Sequence, residues 1–155
     1  MAEVLFEYKG TPAFGFFGKY GGYSVTIYDD GDVVRREYIF AKENPSVEEK
    51  IAYVPEIVKE LEAVLNQYKE NLKLIPDELN NGTLDGSHDC FQFGTKRISA
   101  WTINRTDLEE IRKMNPYYYE SYNENMLAEN FVLDIYNEIV NVIKKYGFDF
   151  GLKIR

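Results

Sequence analysis

The chain has 155 residues, 45% of them apolar, with 26 acidic against 18 basic side chains and a formal net charge of −8. That length fits one domain that buries a core without disulfides or metal, and the composition excludes a disordered chain. The negative charge repels phosphate backbones and no Lys/Arg cluster overrules it, so nucleic acid is excluded as an expected partner, while a basic partner protein is compatible.

MAEVLFEYKG lacks the basic and long apolar regions of a signal peptide, and no apolar run reaches the ~18–20 residues of a membrane span. A single cysteine forms no intramolecular disulfide, which fits a reducing compartment. The sequence therefore reads as cytoplasmic, with no membrane partner. Tyrosine, at 13 copies, outnumbers the 10 Phe and the one Trp. Such an excess marks either a sheet–helix boundary or a contact surface, since tyrosine packs a ring and offers a hydroxyl.

Residues 3–9, EVLFEYK, read as a first strand, followed by the glycine-aromatic loop TPAFGFFGKYGG. YSVTIYDDGDVVRREYIF then carries Asp30-Gly31 between β-rich flanks, a strong hairpin signal. A two-residue turn sets Asp29 opposite Asp32, an unfavourable like-charge pair, and so argues for a loop longer by a residue or two. In the tight register Tyr23, Val25 and Ile27 share a core face with Val34, Tyr38 and Phe40, although Arg36 falls there too. Ser24, Thr26 and Tyr28 share the other face with Arg35 and Glu37.

EKIAYV, residues 49–54, reads as a strand or the first turns of a helix. Ser46 and Glu49 make a capping-box pattern, but Pro55 suits a helix start, which favours a strand ending near Val54. A helix from Pro55 to about Asn71 follows, with Ile57, Leu61, Val64, Leu65, Tyr68 and Leu72 on one stripe. NNGTLDGSHD is turn-rich. CFQFGTKRISAWTIN is a second hairpin turning at Gly94-Thr95. Thr106 and Glu109 suggest a capping box for a short helix to Met114. From Tyr117 to Tyr146 runs one amphipathic helix with Leu127, Phe131, Ile135, Ile139, Val142, Ile143 and Tyr146 on its apolar stripe. Gly147 closes it, and the alternation of Phe148, Phe150, Leu152 and Ile154 predicts a terminal strand. The expectation is a single α+β domain over residues 1–155. Its mainly antiparallel sheet has about five to seven strands, and two main helices, about 55–71 and 117–146, pack on one face.

The only histidine and the only cysteine flank an aspartate in His88-Asp89-Cys90. A strand puts His88 and Cys90 on one face, roughly 6–7 Å apart, and turns Asp89 to the other, where it cannot orient the imidazole. A structural, half-buried cysteine is the ordinary account. Asp85, Ser87 and Asp89 copy the opening of a calcium loop, but Cys90 stands where its glycine belongs and Lys96 where its closing Glu belongs. One histidine excludes multi-histidine metal sites. Gly15, Gly18, Gly21 and Gly22 lead into a strand rather than a helix N-terminus, which argues against a phosphate cradle; Phe14, Phe16, Phe17, Tyr20 and Tyr23 are expected to anchor that loop in the core, the alternative being an exposed sticky loop. Tyr117, Tyr118, Tyr119 and Tyr122 point in several directions, so at least one is exposed. Glu120 and Glu124 beside them read as a solvated acidic face rather than a sugar site.

No complete catalytic constellation, metal site or cofactor motif can be assembled. Binding to another protein is the first expectation, through an exposed sheet face carrying Arg35, Glu37, Gln92, Arg97, Ser99 and Trp101. Size, charge and fold class resemble those of small immunity-type or regulator-type proteins, an analogy of architecture alone. The second expectation is a small hydrolase or transferase using carboxylates or Cys90. The third is a small-ligand binder with an aromatic pocket under the glycine loop. A flat polar-aromatic patch would mark the first, a polar cleft with convergent titratable groups the second, and a closed apolar cavity the third.

Overall fold

The structure, a computed structural model, describes residues 1–13, 19–83 and 86–155. Six strands form one antiparallel sheet: β1 (Val4–Thr11), β2 (Tyr20–Tyr28), β3 (Asp32–Ile39), β4 (Val47–Tyr53), β5 (His88–Phe93) and β6 (Lys96–Trp101). Their spatial order is β4-β3-β2-β1-β5-β6, so the chain's first strand lies inside the sheet, between β2 and β5. A 3₁₀ turn, Pro55–Ile57, leads into α1 (Val58–Lys73); α2 (Leu108–Met114) and α3 (Pro116–Lys145) follow the sheet.

Local chemistry explains the boundaries. Asn115 caps α3 by accepting from the Tyr118 amide, with Pro116 in the first turn. At the other end Gly147 sits at φ +85°, and the amides of Gly147 and Phe148 donate to the carbonyls of Lys144 and Ile143. That is the glycine-closed motif that satisfies a helix's last carbonyls. The short α2 is capped by Asp107, whose side chain accepts from Glu110, one residue later than the Thr106–Glu109 spacing predicts. Asp107 displaces Thr106 because its carboxylate also complements the positive helix end.

The core lies between one sheet face and the long helices. Phe6, Val25, Ile27, Val33, Phe91 and Ile98 point from the strands; Val132, Ile135, Tyr136, Ile139 and Ile143 meet them from α3. The Tyr136 ring packs against Phe6 and Phe91 at 6.2 and 5.2 Å. α1 packs beside α3, with Tyr68 edge-on to Phe131 at 5.6 Å and Lys145 bound to Glu60. Among the described residues no helix packs on the opposite sheet face.

The predicted second hairpin matches in register: His88 pairs with Trp101, Cys90 with Ser99, Gln92 with Arg97 and Phe91 with Ile98. Residues 49–54 lie in strand β4. Three expectations are corrected. The faces drawn from the tight β2–β3 register exchange: the turn has three residues, Asp29, Asp30 and Gly31, one longer as the Asp29–Asp32 repulsion argues, so Ile27 pairs with Val33 and Val25 with Arg35. A slip of one residue exchanges the two faces of a strand. Arg35 and Glu37 therefore point to the helix side, and Val34, Arg36 and Tyr38 to the free side, which relieves the Arg36 conflict. Leu127, expected in the core, is 60% exposed, because α3 buries Met126, Glu129 and Val132 instead. The predicted terminal strand is absent. Phe150 and Gly151 adopt φ +54° and +78°, a turn that no strand tolerates, and the chain folds back under the sheet. Phe14, Phe16, Phe17, Gly15 and Gly18 of the glycine-aromatic loop, with Leu84 and Asp85, lie outside the described residues.

Candidate functional site

The free sheet face is a polar grid built by alternation along each strand. Trp101, His88 and Thr11 form one row across β6, β5 and β1. Ser99, Cys90 and Lys9 form the next, continuing through Ser24 and Arg36 to Glu48 on β4. Arg97, Gln92 and Glu7 form the third, continuing through Thr26 and Val34 to Lys50. Two of these groups, Ser24 and Thr26, are wholly buried beneath the longer side chains. They are not orphaned. Thr26 donates to Glu7 at 2.7 Å and accepts from Arg36 at 2.9 Å, while Ser24 meets the Tyr38 hydroxyl at 3.4 Å.

Charge divides this face. On the β3–β4 side the ions are paired, Arg36 with Glu48 and Lys50 with Asp32. On the β1–β5–β6 side Lys9 and Arg97 have no carboxylate partner among the described residues; Lys9 instead lies 4.1 Å from the Tyr38 ring centre. Trp101 is 45% exposed, with the His88 ring edge-on at 5.2 Å.

Of the six residues expected on this face, Gln92, Arg97, Ser99 and Trp101 come together. Arg35 and Glu37 do not: the β2–β3 register places them on the helix side. Lys9, Glu7, Arg36 and Tyr38 belong to the face and were missed. The alternation in EVLFEYK already sets Glu7 and Lys9 on one side of a strand, but the insertion of β1 between β2 and β5 has no local signal.

His88 and Cys90 share the free face, as a strand requires. Burial pushes the Cys90 thiol up, against the opposing pull of Arg97. A thiol raised in this way stays protonated and unreactive. No group of three or more potential ligands able to hold a metal occurs among the described residues.

Asp89, only 3% exposed, points into the core. Its carboxylate accepts from the Tyr8 hydroxyl at 2.6 Å and the Ile103 amide at 2.8 Å, and pairs with Arg155 at 3.1 Å. Asn137 of α3 holds the backbone of Arg155 through two hydrogen bonds of 2.9 Å, and the guanidinium lies 5.8 Å from both the Tyr8 and Phe91 ring centres. A second buried carboxylate, Glu129, accepts from Asn81 at 2.7 Å. Burial pushes it up to about 7, with the Asp89 charge adding and the Asn81 bond opposing.

The chain matches no family model, no curated protein and no solved structure. Among the described residues no helix is long and apolar enough to cross a membrane.

Proposed function

We propose that the chain is a non-catalytic protein-binding domain whose contact surface is the free sheet face around Trp101, Arg97 and Lys9. A single observation carries the reading. The only tryptophan stands half out of a flat polar sheet, in the company of a histidine, a serine and two cations that lack carboxylate partners among the described residues. Exposed tryptophan and arginine are the residues that most often dominate binding energy at interfaces. Among the described residues Lys9 and Arg97 outnumber the one carboxylate on this part of the face, Glu7, which accepts from Thr26, so the partner that complements it presents carboxylates. Total charge is compatible with a basic partner; the local charge favours an acidic one. A cytoplasmic setting belongs to the same reading, resting on the lone, half-buried thiol.

The alternative, a small hydrolase or transferase, is favoured by Glu129. Its carboxyl near neutrality suits a general acid or base, and it lines a polar pocket of about 140 Å³ with Asn81, Thr102, Thr106 and Tyr118. Among the described residues no activated nucleophile accompanies it there, which favours binding as the better reading.

A photo-crosslinking residue at position 101, compared with one at exposed position 62 on α1, tests the proposal. The expected result is one crosslinked protein from position 101, attached within an acidic surface of that protein, and none from position 62. Crosslinks from position 62 alone would overturn the assignment of the face.

A further inference from the structure

The helix side of the sheet holds a second feature, independent of the free face. Tyr8, Tyr23, Arg35, Tyr136, Lys153 and Arg155 line a cleft of about 590 Å³. That volume falls in the range of sites for small molecules. Each wall has a clear origin in the chain. Tyr8 on β1 and Tyr23 on β2 point to the same face, with rings 5.9 Å apart. Tyr136 of α3 closes over Tyr8 at 6.2 Å. Arg35 reaches the cleft only because the β2–β3 turn has three residues; its guanidinium lies 4.5 Å from the Tyr23 ring centre. The turn at Phe150 and Gly151 brings Lys153 to the rim, and a Cβ added at Gly151 would sit 3.5 Å from Arg35 Nη1.

The polar groups here divide into spent and unspent. Arg155 is spent: its fork is committed to Asp89 and to the Ile103 carbonyl. Arg35 is largely unspent. Its only ion contact is a long one, 3.7 Å from Nε to Glu37, and neither terminal nitrogen has a partner among the described residues. The Lys153 ammonium and the Tyr23 hydroxyl likewise have none. Stacking on an aromatic ring leaves the donor edge of a guanidinium free to bind a carboxylate or phosphate. Burial raises Tyr23 and lifts Tyr136 to about 12, so both hydroxyls keep their protons at neutral pH. Among the described residues the cleft thus offers one unpaired cation, Lys153, a second, Arg35, whose two terminal nitrogens are free, and phenol donors, enclosed by flat rings, in a chain of net charge −8.

We propose that this cleft binds a small organic anion, with a carboxylate or phosphate head held by Arg35 and Lys153 and a flat body against Tyr23 and Tyr136. The head supplies what the unspent donors lack, and a bidentate contact with Arg35 fixes its orientation. The aromatic walls add area that a bare inorganic ion cannot use.

Isothermal titration with phenyl phosphate, benzoate, inorganic phosphate and phenol tests both halves. Saturable one-to-one binding is expected for phenyl phosphate or benzoate, and the better of the two identifies the preferred head. Inorganic phosphate should bind more weakly, and phenol should not saturate. Arg35→Met and Lys153→Met should each weaken binding by roughly tenfold or more, while Lys59→Met on α1 leaves it unchanged. Arg35→Met keeps the stem over Tyr23, and a melting curve reports whether it folds; Lys153 is exposed, so its variant stands as an independent check. Absence of saturation by any anion up to about 10 mM, or binding that survives both substitutions, would overturn the proposal. Equal affinity for phosphate and phenyl phosphate would overturn the aromatic half.

Discussion

Arg155 and Asp89, 66 residues apart in sequence, form an ion pair of 3.1 Å beneath the sheet. The aspartate that separates the only histidine from the only cysteine is therefore a structural anchor for the final turn of the chain. Removing one partner of such a pair leaves the other charge poorly solvated, and Asp89 is the more deeply buried of the two. Arg155→Met should cost roughly 2–4 kcal/mol in urea denaturation. A loss below about 1 kcal/mol, no larger than an exposed ion pair is worth, would contradict the pairing.

Glu129 gives a pH signature of its own. Its folded carboxyl lies near 7, above the ordinary 4.5. Over that interval the folded protein binds more protons than the unfolded chain, so stability falls as pH rises from about 4.5 to 7 and levels off above. Glu129→Gln keeps an acceptor for Asn81 and removes the ionisation. It should stabilise the protein at pH 8 by at most about 3 kcal/mol and have little effect at pH 4. Equal effects at both pH values in urea titrations would show that Glu129 titrates normally.

Cys90 should behave as a packed thiol. At pH 8 its reaction with a disulfide reagent should be slower than that of an unfolded control by roughly tenfold or more, since burial holds it protonated. Cys90→Ser should cost about 1–2 kcal/mol. Fast labelling with native stability intact would return a chemical role to this residue.

Much of this architecture could be read from local pattern, and the errors have local causes. The Gly94-Thr95 hairpin came out in register because its two flanks alternate cleanly. Asp30-Gly31 instead closes a three-residue turn. Repulsion between Asp29 and Asp32 was the visible clue, yet the one-residue difference moved Arg35 and Glu37 across the sheet. The alternation of Phe148, Phe150, Leu152 and Ile154 imitated a strand; the positive φ of Phe150 belongs to a turn in which Asp149 accepts from the Gly151 amide through its side chain and from the Leu152 amide through its carbonyl, and Arg155 docks beyond it on Asp89 and Asn137. The cleft joins β1, β2, β3, α3 and the final turn, so no segment of the sequence displays it.

The turn itself can be tested at two glycines. Gly31 sits at φ +96°, and a Cβ there would come within 2.6 Å of the Pro55 backbone. Gly94 has φ +61° with open space around it. Gly94→Ala should cost about 1–2 kcal/mol, the backbone penalty alone. Gly31→Ala should cost more than that, on the order of 3 kcal/mol, because Pro55 must move as well. Equal melting temperatures for the two variants would contradict the three-residue turn.

The most direct test of the binding face uses the single tryptophan as its reporter. Protein labelled with 5-fluorotryptophan carries one ¹⁹F resonance, from Trp101, with a solvent isotope shift between H₂O and D₂O that reflects exposure. On saturation with the partner captured by crosslinking, the resonance should move and lose most of that isotope shift, as the indole leaves water for the interface. Trp101→Ala should weaken the complex by roughly tenfold or more without changing the melting temperature. A resonance that keeps its position and its full isotope shift in the saturated complex would contradict the account.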